Sequence, residues 1–399
     1  MAADVENLKP PGPLKISSQM KTTFAVLMFL GFVAFALALV NDGARAWHGY
    51  LTAFFFFVSL ALGGLFFAAM QHMTNAGWSV NVRRLAESFA AFMPYAFVGA
   101  IALLIGAPKL YSWLDPQVVA TDYLVAHKAP YLNQGFLWVR TLFFFGGWLL
   151  FAHVLVGRSV DQDKSGDEKL TTSLVPWSIA FVMFFALSYS FFSVDALMSL
   201  EPHWFSTIFG VYTFGGLFQS SVAFLILLIV FLQRQGLVTG FITADHLHDL
   251  GKFLFAFTVF WAYIAFSQYM LIWYANIPEE TLFFVPRSEG PWVWVSLALI
   301  LFKFVVPFFA LLPRWAKRHP AHLSAVSVLI LVMQYVDLHW LVFPNFDSSQ
   351  VVFGLYEIFI FLGFLGLFLF SVTSFLSRHP IVPLKDPRQQ ESMHHHVVY

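Results

Sequence analysis

The feature that most constrains this chain is a series of ten apolar runs, each long enough to cross a lipid bilayer as a helix. A helix rises 1.5 Å per residue, so about 20 predominantly apolar residues span the roughly 30 Å hydrocarbon core of a membrane. Only short polar connections separate the runs. We therefore expect an all-α, polytopic membrane protein with about ten transmembrane helices, at residues 23–40, 46–72, 89–107, 136–156, 174–200, 205–232, 253–275, 291–312, 322–343 and 351–376.

Composition supports this interpretation and excludes several functional classes. Hydrophobic residues make up 59% of the chain and charged residues 11%, whereas a soluble domain typically carries about 25% charged residues. The net charge is +0, so nothing in it points to a nucleic-acid partner. Cysteine is absent, which excludes disulfides, thiolate-bound iron–sulfur clusters and cysteine-attached haem within this chain. The sequence also lacks a Walker loop, a nucleophile elbow and any spacing typical of metal ligands.

The placement of lysine and arginine predicts the orientation. Sixteen of the 22 basic residues lie in the two chain ends and in the loops on the same side of the membrane. Four lie in the opposite loops, namely Arg45, Lys109, Lys128 and Arg287. Because loops rich in lysine and arginine stay in the cytoplasm, we expect both termini to be cytoplasmic. The side that carries the chain ends is called the inner side below, and the opposite side is called the outer side.

Runs two to five resemble runs six to nine. The alternative is chance similarity among apolar stretches, but several matches occur in the same order. A shift of four helices keeps the orientation, so we expect two four-helix bundles related as a parallel repeat, plus flanking first and last helices. The matches are Gly-Gly-Leu-Phe from Gly63 and from Gly215, Val-Asp ending at Asp195 and at Asp337, and a lone cation at Arg140 and at Lys303. The predicted segments are an inner tail (1–21), a first helix with its loop (22–45), two bundles (46–204 and 205–350), a last helix (351–377) and an inner tail (378–399).

Polar residues in the outer half of the predicted bundle are candidates for a proton path or for quinone contacts. Ionisable groups inside a membrane are costly and normally mark a function, and the repeat predicts two ion pairs, Arg140 with Asp195 and Lys303 with Asp337. Two interpretations stay open: the pairs hold helices together, or they are protonatable relays or contacts for a polar ligand. The candidates are Arg140, Asp195, Lys303, Asp337, His339, Glu357, Tyr263 and Ser267.

A second polar set lies toward the inner side, where a second half-channel would need it. Asp249 has a competing interpretation as part of a solvated loop together with its histidine neighbours. Two histidines of the set, His72 and His153, could alternatively ligate haem b. The His394–His396 run is interpreted as a flexible tail rather than a metal site. The candidates for the inner half of a proton path are His72, Glu87, Ser88, His153 and Asp249.

Four motifs resemble those of the NrfD/PsrC-like integral membrane subunits. They are AWHGYL from Ala46, LALGGLFF from Leu60, SLEPHWF from Ser199 and ANIPEE from Ala275. Within that family the chain is most similar to the smaller of two such subunits in bacterial alternative complex III, a quinol:electron-acceptor oxidoreductase. The resemblance covers about residues 22 to 378, which is nearly the whole chain.

The resemblance implies a multi-pass subunit of a respiratory complex in the bacterial inner membrane. Its partners would be a sister NrfD-like membrane subunit, a periplasmic iron–sulfur subunit, c-type haem subunits and membrane lipid. The larger sister subunit is credited with the quinol pocket, so quinone or quinol contacts in this smaller subunit stay open, and lipid is the other small ligand. No cofactor is expected to be held covalently or by metal ligation. Two other classes stay open: a stand-alone secondary transporter, and a purely structural anchor for the periplasmic subunits.

Overall fold

The structure is a computed structural model, which describes residues 10–397. Residues 1–9 and 398–399 of the two predicted tails lie outside the described part. Within 10–397 there are no strands, and ten helices are long and apolar enough to cross a membrane. The chain is therefore an all-α multi-pass membrane protein, as predicted. The spans, named α1 to α10, are Ser18–Asn41, Gly43–Met73, Gly77–Lys109, Gln134–Ser165, Glu168–Leu200, Phe209–Arg234, Ala244–Ala275, Trp292–Leu311, Pro320–Asn345 and Leu355–Arg378.

Several spans are longer at the inner side than their apolar runs. The helix α3 begins at Gly77 rather than at residue 89, and α7 begins at Ala244 rather than at residue 253. The helix α4 continues to Ser165, beyond residue 156. These extensions carry charged residues that pair with one another, so the helices continue past the point where hydropathy falls. Hydropathy marks the hydrocarbon core, whereas the helix ends where its caps lie.

The eight central helices form two rings with the same neighbour order. In the first ring α2 packs on α3, α3 on α4, α4 on α5, and α5 back on α2. The second ring repeats this order with α6, α7, α8 and α9. The rings meet where α6 packs against α2 and α5, while α1 and α10 pair with each other and pack against α2. This arrangement agrees with the repeat expected from the sequence.

Close helix contacts depend on glycine at two crossings. A side chain at Gly63 of α2 would lie 2.7 Å from the Cβ atom of Ser221 of α6, so the two central helices touch there. A side chain at Gly363 of α10 would lie 2.8 Å from the Cα atom of Gly31 of α1. Apolar helices in lipid gain no hydrophobic free energy by meeting, so such close backbone packing stabilises their association.

Two spans depart from α-helical geometry next to a proline. In α3 a 3₁₀ segment, Ser88–Phe92, precedes Pro94. In α8 a π-helical segment, Leu299–Val305, precedes Pro307. Proline has no N–H for the carbonyl four residues earlier, and its ring crowds that carbonyl. In α8 that carbonyl belongs to Lys303, so the helix widens at this lysine.

Candidate functional site

The ion pair predicted for the first unit is formed. The guanidinium of Arg140 donates two hydrogen bonds to Asp195, from Nε at 2.8 Å and from Nη2 at 3.0 Å. Its Nη1 donates to the Tyr131 carbonyl at 2.9 Å, and the group lies 3.8 Å from the centre of the Tyr131 ring. A cavity of about 10 Å³ beside Asp195 is lined by Thr141 and Tyr111 among others. That volume is close to the minimum that holds one water molecule.

The ion pair predicted for the second unit is also formed, within a larger polar cluster. Lys303 Nζ lies 2.5 Å from Asp337 Oδ2 and donates to Gln334 Oε1 at 2.7 Å. The hydroxyl of Tyr212 in α6 donates a short hydrogen bond to the other oxygen of Asp337. The ammonium also lies 4.2 Å from the centre of the Trp261 ring. Lys303 is fully buried, so four helices of this unit enclose one lysine and one carboxylate away from lipid. We call Lys303, Asp337, Gln334, Tyr212 and Trp261 the lysine cluster.

The π-helical segment of α8 is centred on the lysine of this cluster. Pro307 has no N–H to donate to the Lys303 carbonyl, so the proline in the sequence accounts for the local widening of the helix. Isolated π segments occur often at functional sites. The equivalent cation of the first unit, Arg140, lies in the regular α-helix Gln134–Ser165. The two units therefore differ in backbone as well as in cation.

The two cations also differ in chemistry. An arginine side chain stays protonated in proteins and binds a carboxylate through two parallel hydrogen bonds, as Arg140 does. A lysine is a single charge on a flexible stem and exchanges its proton far more readily when buried. The geometry around Arg140 and Asp195 is suited to holding α4 against α5. The lysine cluster has the groups that a proton relay needs.

The structure separates three other outer candidates by environment. His339 is buried, and neither ring nitrogen makes a hydrogen bond of normal geometry within residues 10–397. The Val352 backbone lies near the ring. Its ring stacks on Phe343 at 4.0 Å between ring centres and lies 5.9 Å from the Trp292 ring. Tyr263 is 65% exposed and faces away from the polar interior. Ser267 lies four residues later on the same face and is half-buried.

Glu357 has a local structural explanation. Its carboxylate accepts from the backbone N–H of Gly354 at 2.7 Å, which caps the first turn of α10. It also pairs with Arg45 through both oxygens, at 2.7 and 2.8 Å. A carboxylate in a first turn favours the positive end of the helix dipole. The residue therefore joins the start of α10 to the loop between α1 and α2, at the outer end rather than near the midplane.

A buried charge network lies at the inner ends of the first unit. Arg84 is completely buried and donates to Asp163 Oδ2 at 2.6 Å and to Glu87 Oε2 at 3.0 Å. The Ser159 hydroxyl lies 2.9 Å from each oxygen of Glu87. His72 Nδ1 is 2.8 Å from Arg83 Nη1, and its Nε2 is 4.0 Å from Glu87 Oε1. All six residues come from α3 and its neighbours α2 and α4. We call His72, Arg83, Arg84, Glu87, Ser159 and Asp163 the inner network.

The other two inner candidates of the first unit lie outside this network. Ser88 donates its hydroxyl to the Leu85 carbonyl at 2.5 Å, so it bonds the backbone of its own helix. His153 is exposed on α4, where it lines a groove. Both ring nitrogens of His72 face protein side chains. A shared haem iron between His72 and His153 therefore does not fit the arrangement, because a ligating ring needs one nitrogen free for the metal.

The solvated-loop interpretation of Asp249 was wrong, and so was the flexible-tail interpretation of the histidine run. Asp249 lies in the first turns of α7 and is 7% exposed. His395 Nε2 lies 2.6 Å from Asp249 Oδ2, and Lys252 Nζ lies 2.5 Å from its Oδ1. His246, also in α7, is completely buried and lies 3.1 Å from the Ser392 hydroxyl. The C-terminal segment is therefore docked on the inner face.

Phenylalanines separate the lysine cluster from the inner network. Where α2, α5, α6 and α7 meet, the ring centres of Phe66 and Phe185 are 5.1 Å apart, and those of Phe218 and Phe257 are 4.4 Å apart. Phe66 also lies 5.5 Å from Phe218. Phe66 precedes His72 by less than two helical turns along α2. Two polar regions thus lie on opposite sides of an aromatic barrier.

Charged groups in the outer loops fasten those loops to the helices. His203 Nε2 lies 2.5 Å from Asp122 Oδ2, and this contact raises the pKa of His203 and lowers the pKa of Asp122. Burial lowers the pKa of Arg287 to about 9, which leaves it protonated at pH 7. Arg287 donates to the carbonyls of Phe283, Trp340 and Leu341 at 2.6, 3.0 and 3.0 Å.

Sequence reasoning missed residues that act through tertiary contacts. Hydropathy places Arg84 among the charges of the inner loops, and it distinguishes neither Tyr212 nor Trp261 from other span residues. A signal for Tyr212 existed, because it lies three residues before Gly215, where the Gly-Gly-Leu-Phe motif of the repeat begins. Arg84 had no signal that hydropathy could reveal. Among residues 10–397 no group of three or more metal-ligating side chains has a metal-binding arrangement.

Comparison with known proteins adds no family to this description. No protein-family model matches the chain. No curated protein matches it at a significant level.

Proposed function

We propose that the chain is a NrfD/PsrC-like membrane subunit of a bacterial respiratory quinol:electron-acceptor oxidoreductase. In this proposal it corresponds to the smaller such subunit of alternative complex III, called ActF. In this proposal the chain carries no redox centre of its own. It contributes a path for protons that is driven by quinol oxidation in the sister NrfD-like subunit, and electrons leave through periplasmic iron–sulfur and c-type haem subunits. The inner side is the cytoplasm of a bacterial cell.

The lysine cluster is the observation that carries this proposal. It holds one exchangeable cation against one carboxylate, with a tyrosine hydroxyl and an amide in contact, inside a helix that is widened at the lysine. Ionisable groups at such positions are the usual components of proton relays in membrane proteins. A pair needed only to join two helices would be served as well by arginine, as in the first unit.

The inner network supplies the second half of the path. Glu87 and His72 are titratable, buried and joined through Ser159 and Arg83 to further polar groups. The aromatic barrier between the two regions prevents a continuous water file in this conformation. Protons would cross it when the rings around Phe66 and Phe218 rearrange. Quinol oxidation in the sister subunit would control this rearrangement.

The proposal is tested by reconstituting the purified complex in liposomes and measuring quinol turnover and proton translocation together. Asp337→Asn and Lys303→Met each leave one buried charge unpaired, which is destabilising, so the combined variant is the informative one. We expect the combined variant to retain turnover while proton translocation falls roughly a hundredfold, as for loss of a positioned proton-transfer group.

The first unit offers a matched control. Arg140→Met combined with Asp195→Asn removes the equivalent pair. We expect the number of protons translocated per electron transferred to stay unchanged in the fraction of the complex that assembles. Unchanged translocation in the Lys303→Met and Asp337→Asn double variant would instead favour an anchoring role. A purified complex without haem-bearing partners would contradict the proposed assembly itself.

A further inference from the structure

A long groove runs down the lipid-facing side of the first unit at its inner end. It has a volume of about 640 Å³ and is walled by α3, α4 and the end of α10. Its α4 wall runs from Leu149 to Lys164, roughly 22 Å at 1.5 Å per residue. One leaflet of the hydrocarbon core is about 15 Å thick. The groove therefore extends from the inner interface through the depth of one leaflet.

The groove exists because small residues face each other where α3 is irregular. Ala90 and Ala91 lie in the 3₁₀ segment before Pro94, opposite Ala152 and Gly157 of α4. A Cβ atom built at Gly157 meets no atom within 4 Å. Larger side chains at these positions would close the space, so its shape follows from the residues that line it. The deeper walls are apolar and suit an acyl chain.

The inner end of the groove is basic. Lys164 and His379 line it, and the Lys385 ammonium donates to the Lys164 carbonyl at 2.7 Å. Burial lowers the pKa of His379, and the nearby charges of Arg84, Lys164 and Arg378 lower it further, which marks a positive potential there. The opposing carboxylates are Asp161, which lines the groove 3.6 Å from Lys164 Nζ, and Asp163, which is bound by Arg84.

We propose that this groove binds one anionic phospholipid of the inner leaflet. One acyl chain lies between α3 and α4, the Lys164 ammonium pairs with the phosphate, and the neutral His379 ring lies beside it as a hydrogen-bonding group. Basic pockets between transmembrane helices at the cytoplasmic side recognise anionic headgroups in this manner. The site does not depend on the proposed respiratory function, since it rests on the groove and its charges alone.

The test measures lipid retained by the full-length protein after extraction from nanodiscs that contain equal phosphatidylglycerol and phosphatidylcholine, by native mass spectrometry. We expect the wild type to retain one phosphatidylglycerol in preference to phosphatidylcholine. Gly157→Leu fills the groove and should abolish this retention. Gly146→Leu is the matched control, because Gly146 lies on the same helix, also in open space and away from the groove.

A second variant removes the charge without touching the packing. Lys164→Gln should reduce the preference for phosphatidylglycerol about fivefold while leaving total bound lipid unchanged. Equal retention of both lipids by the wild type would overturn the proposal. So would equal retention by Gly157→Leu and Gly146→Leu, or displacement of the lipid by a neutral quinone added to the nanodiscs.

Discussion

At the scale of single residues, burial of charge is tolerated here through hydrogen bonds to the backbone as well as through ion pairs. Arg287 has no carboxylate within ion-pair distance among residues 10–397, yet it is 3% exposed. Arg287 donates hydrogen bonds to three backbone carbonyls, and the Phe283 ring lies 3.7 Å from the guanidinium. Two of those carbonyls, from Trp340 and Leu341, belong to the last turn of the α-helical part of α9, Pro320–Val342, where helical carbonyls lack intrahelical partners. Arg287 therefore caps α9 from outside the helix.

We expect Arg287→Met to lower the stability of the chain by about 3 kcal/mol, because the buried carbonyls of Phe283 and Trp340 would lose this donor, whereas Leu341 keeps the Asn345 amide. Thermal unfolding of the purified protein in detergent measures the effect. Lys109→Met serves as the control, since Lys109 is an exposed outer residue whose loss should leave the midpoint unchanged. Equal midpoints for the two variants would show that water satisfies the α9 carbonyls.

At the scale of helices, the contacts that matter are backbone approaches and irregular turns. The crossing of α1 and α10 is closed by Gly31 and Gly363, and the widened turn of α8 presents Lys303 to α9. Neither feature depends on the apolar character that predicts the spans. Each feature depends on one or two residues, so a single substitution can test it.

We expect Gly31→Ala to destabilise the protein by about 1–3 kcal/mol, since overpacking a tight contact forces helices apart. A methyl group there would lie 2.9 Å from the Phe359 carbonyl oxygen, which cannot move away without shifting α10. The measurement is again thermal unfolding, with Gly146→Ala as the control at an open position. A midpoint equal to that of the control would mean that α1 is free to move outward.

The outer loop between α3 and α4 should loosen at alkaline pH. The raised pKa of His203 gives stability that is fully present below its ordinary value near 6.5 and is lost as the pH rises through the raised value. The lowered pKa of Asp122 gives stability that is present above about 3.8 and is lost as the pH falls through the lowered value. The contact is therefore strongest at mildly acidic pH.

Hydrogen exchange of residues 116–128 measures this dependence. We expect these amides to be more protected at pH 6 than at pH 9, once the intrinsic pH dependence of exchange is divided out. His203→Gln should remove most of the difference, because glutamine does not titrate. A difference that persists in the variant would assign the pH dependence to another group.

At the scale of the whole molecule, the C-terminal segment joins the two units on their inner face. Asp386 accepts from Arg83 at 2.7 Å and the Leu384 N–H donates to Asp163 at 2.8 Å, both in the first unit. Ser392 and His395 contact His246 and Asp249 of α7 in the second unit. The segment thus covers the inner network and connects it to α7.

Truncation after Pro380 should lower the unfolding midpoint by several degrees, because Arg83 and Asp163 would each lose a buried partner. It should also increase hydrogen exchange in residues 80–87. Ser349→Ala, a change in an exposed outer loop, is the control for handling and detergent. An unchanged midpoint together with unchanged exchange would show that the segment rests on the inner face without supporting it.

The ten crossings, the bias of basic residues toward one side and the two ion pairs were all predictable from the sequence. Hydropathy is a local property, because a span must be predominantly apolar whatever its neighbours are. The pairs followed from the repeat, which places Arg140 against Asp195 and Lys303 against Asp337 at matching positions.

Only the tertiary structure decided which polar groups meet. Helices that are apolar all round carry no stripe to show which face is buried, so Tyr263 was expected inside and lies outside, while Tyr212 was overlooked and contacts Asp337. The C-terminal segment is polar, and its order comes from partners on α3, α4 and α7 that are far away in the chain. Crossings depend on each segment alone, whereas a polar site depends on several segments meeting.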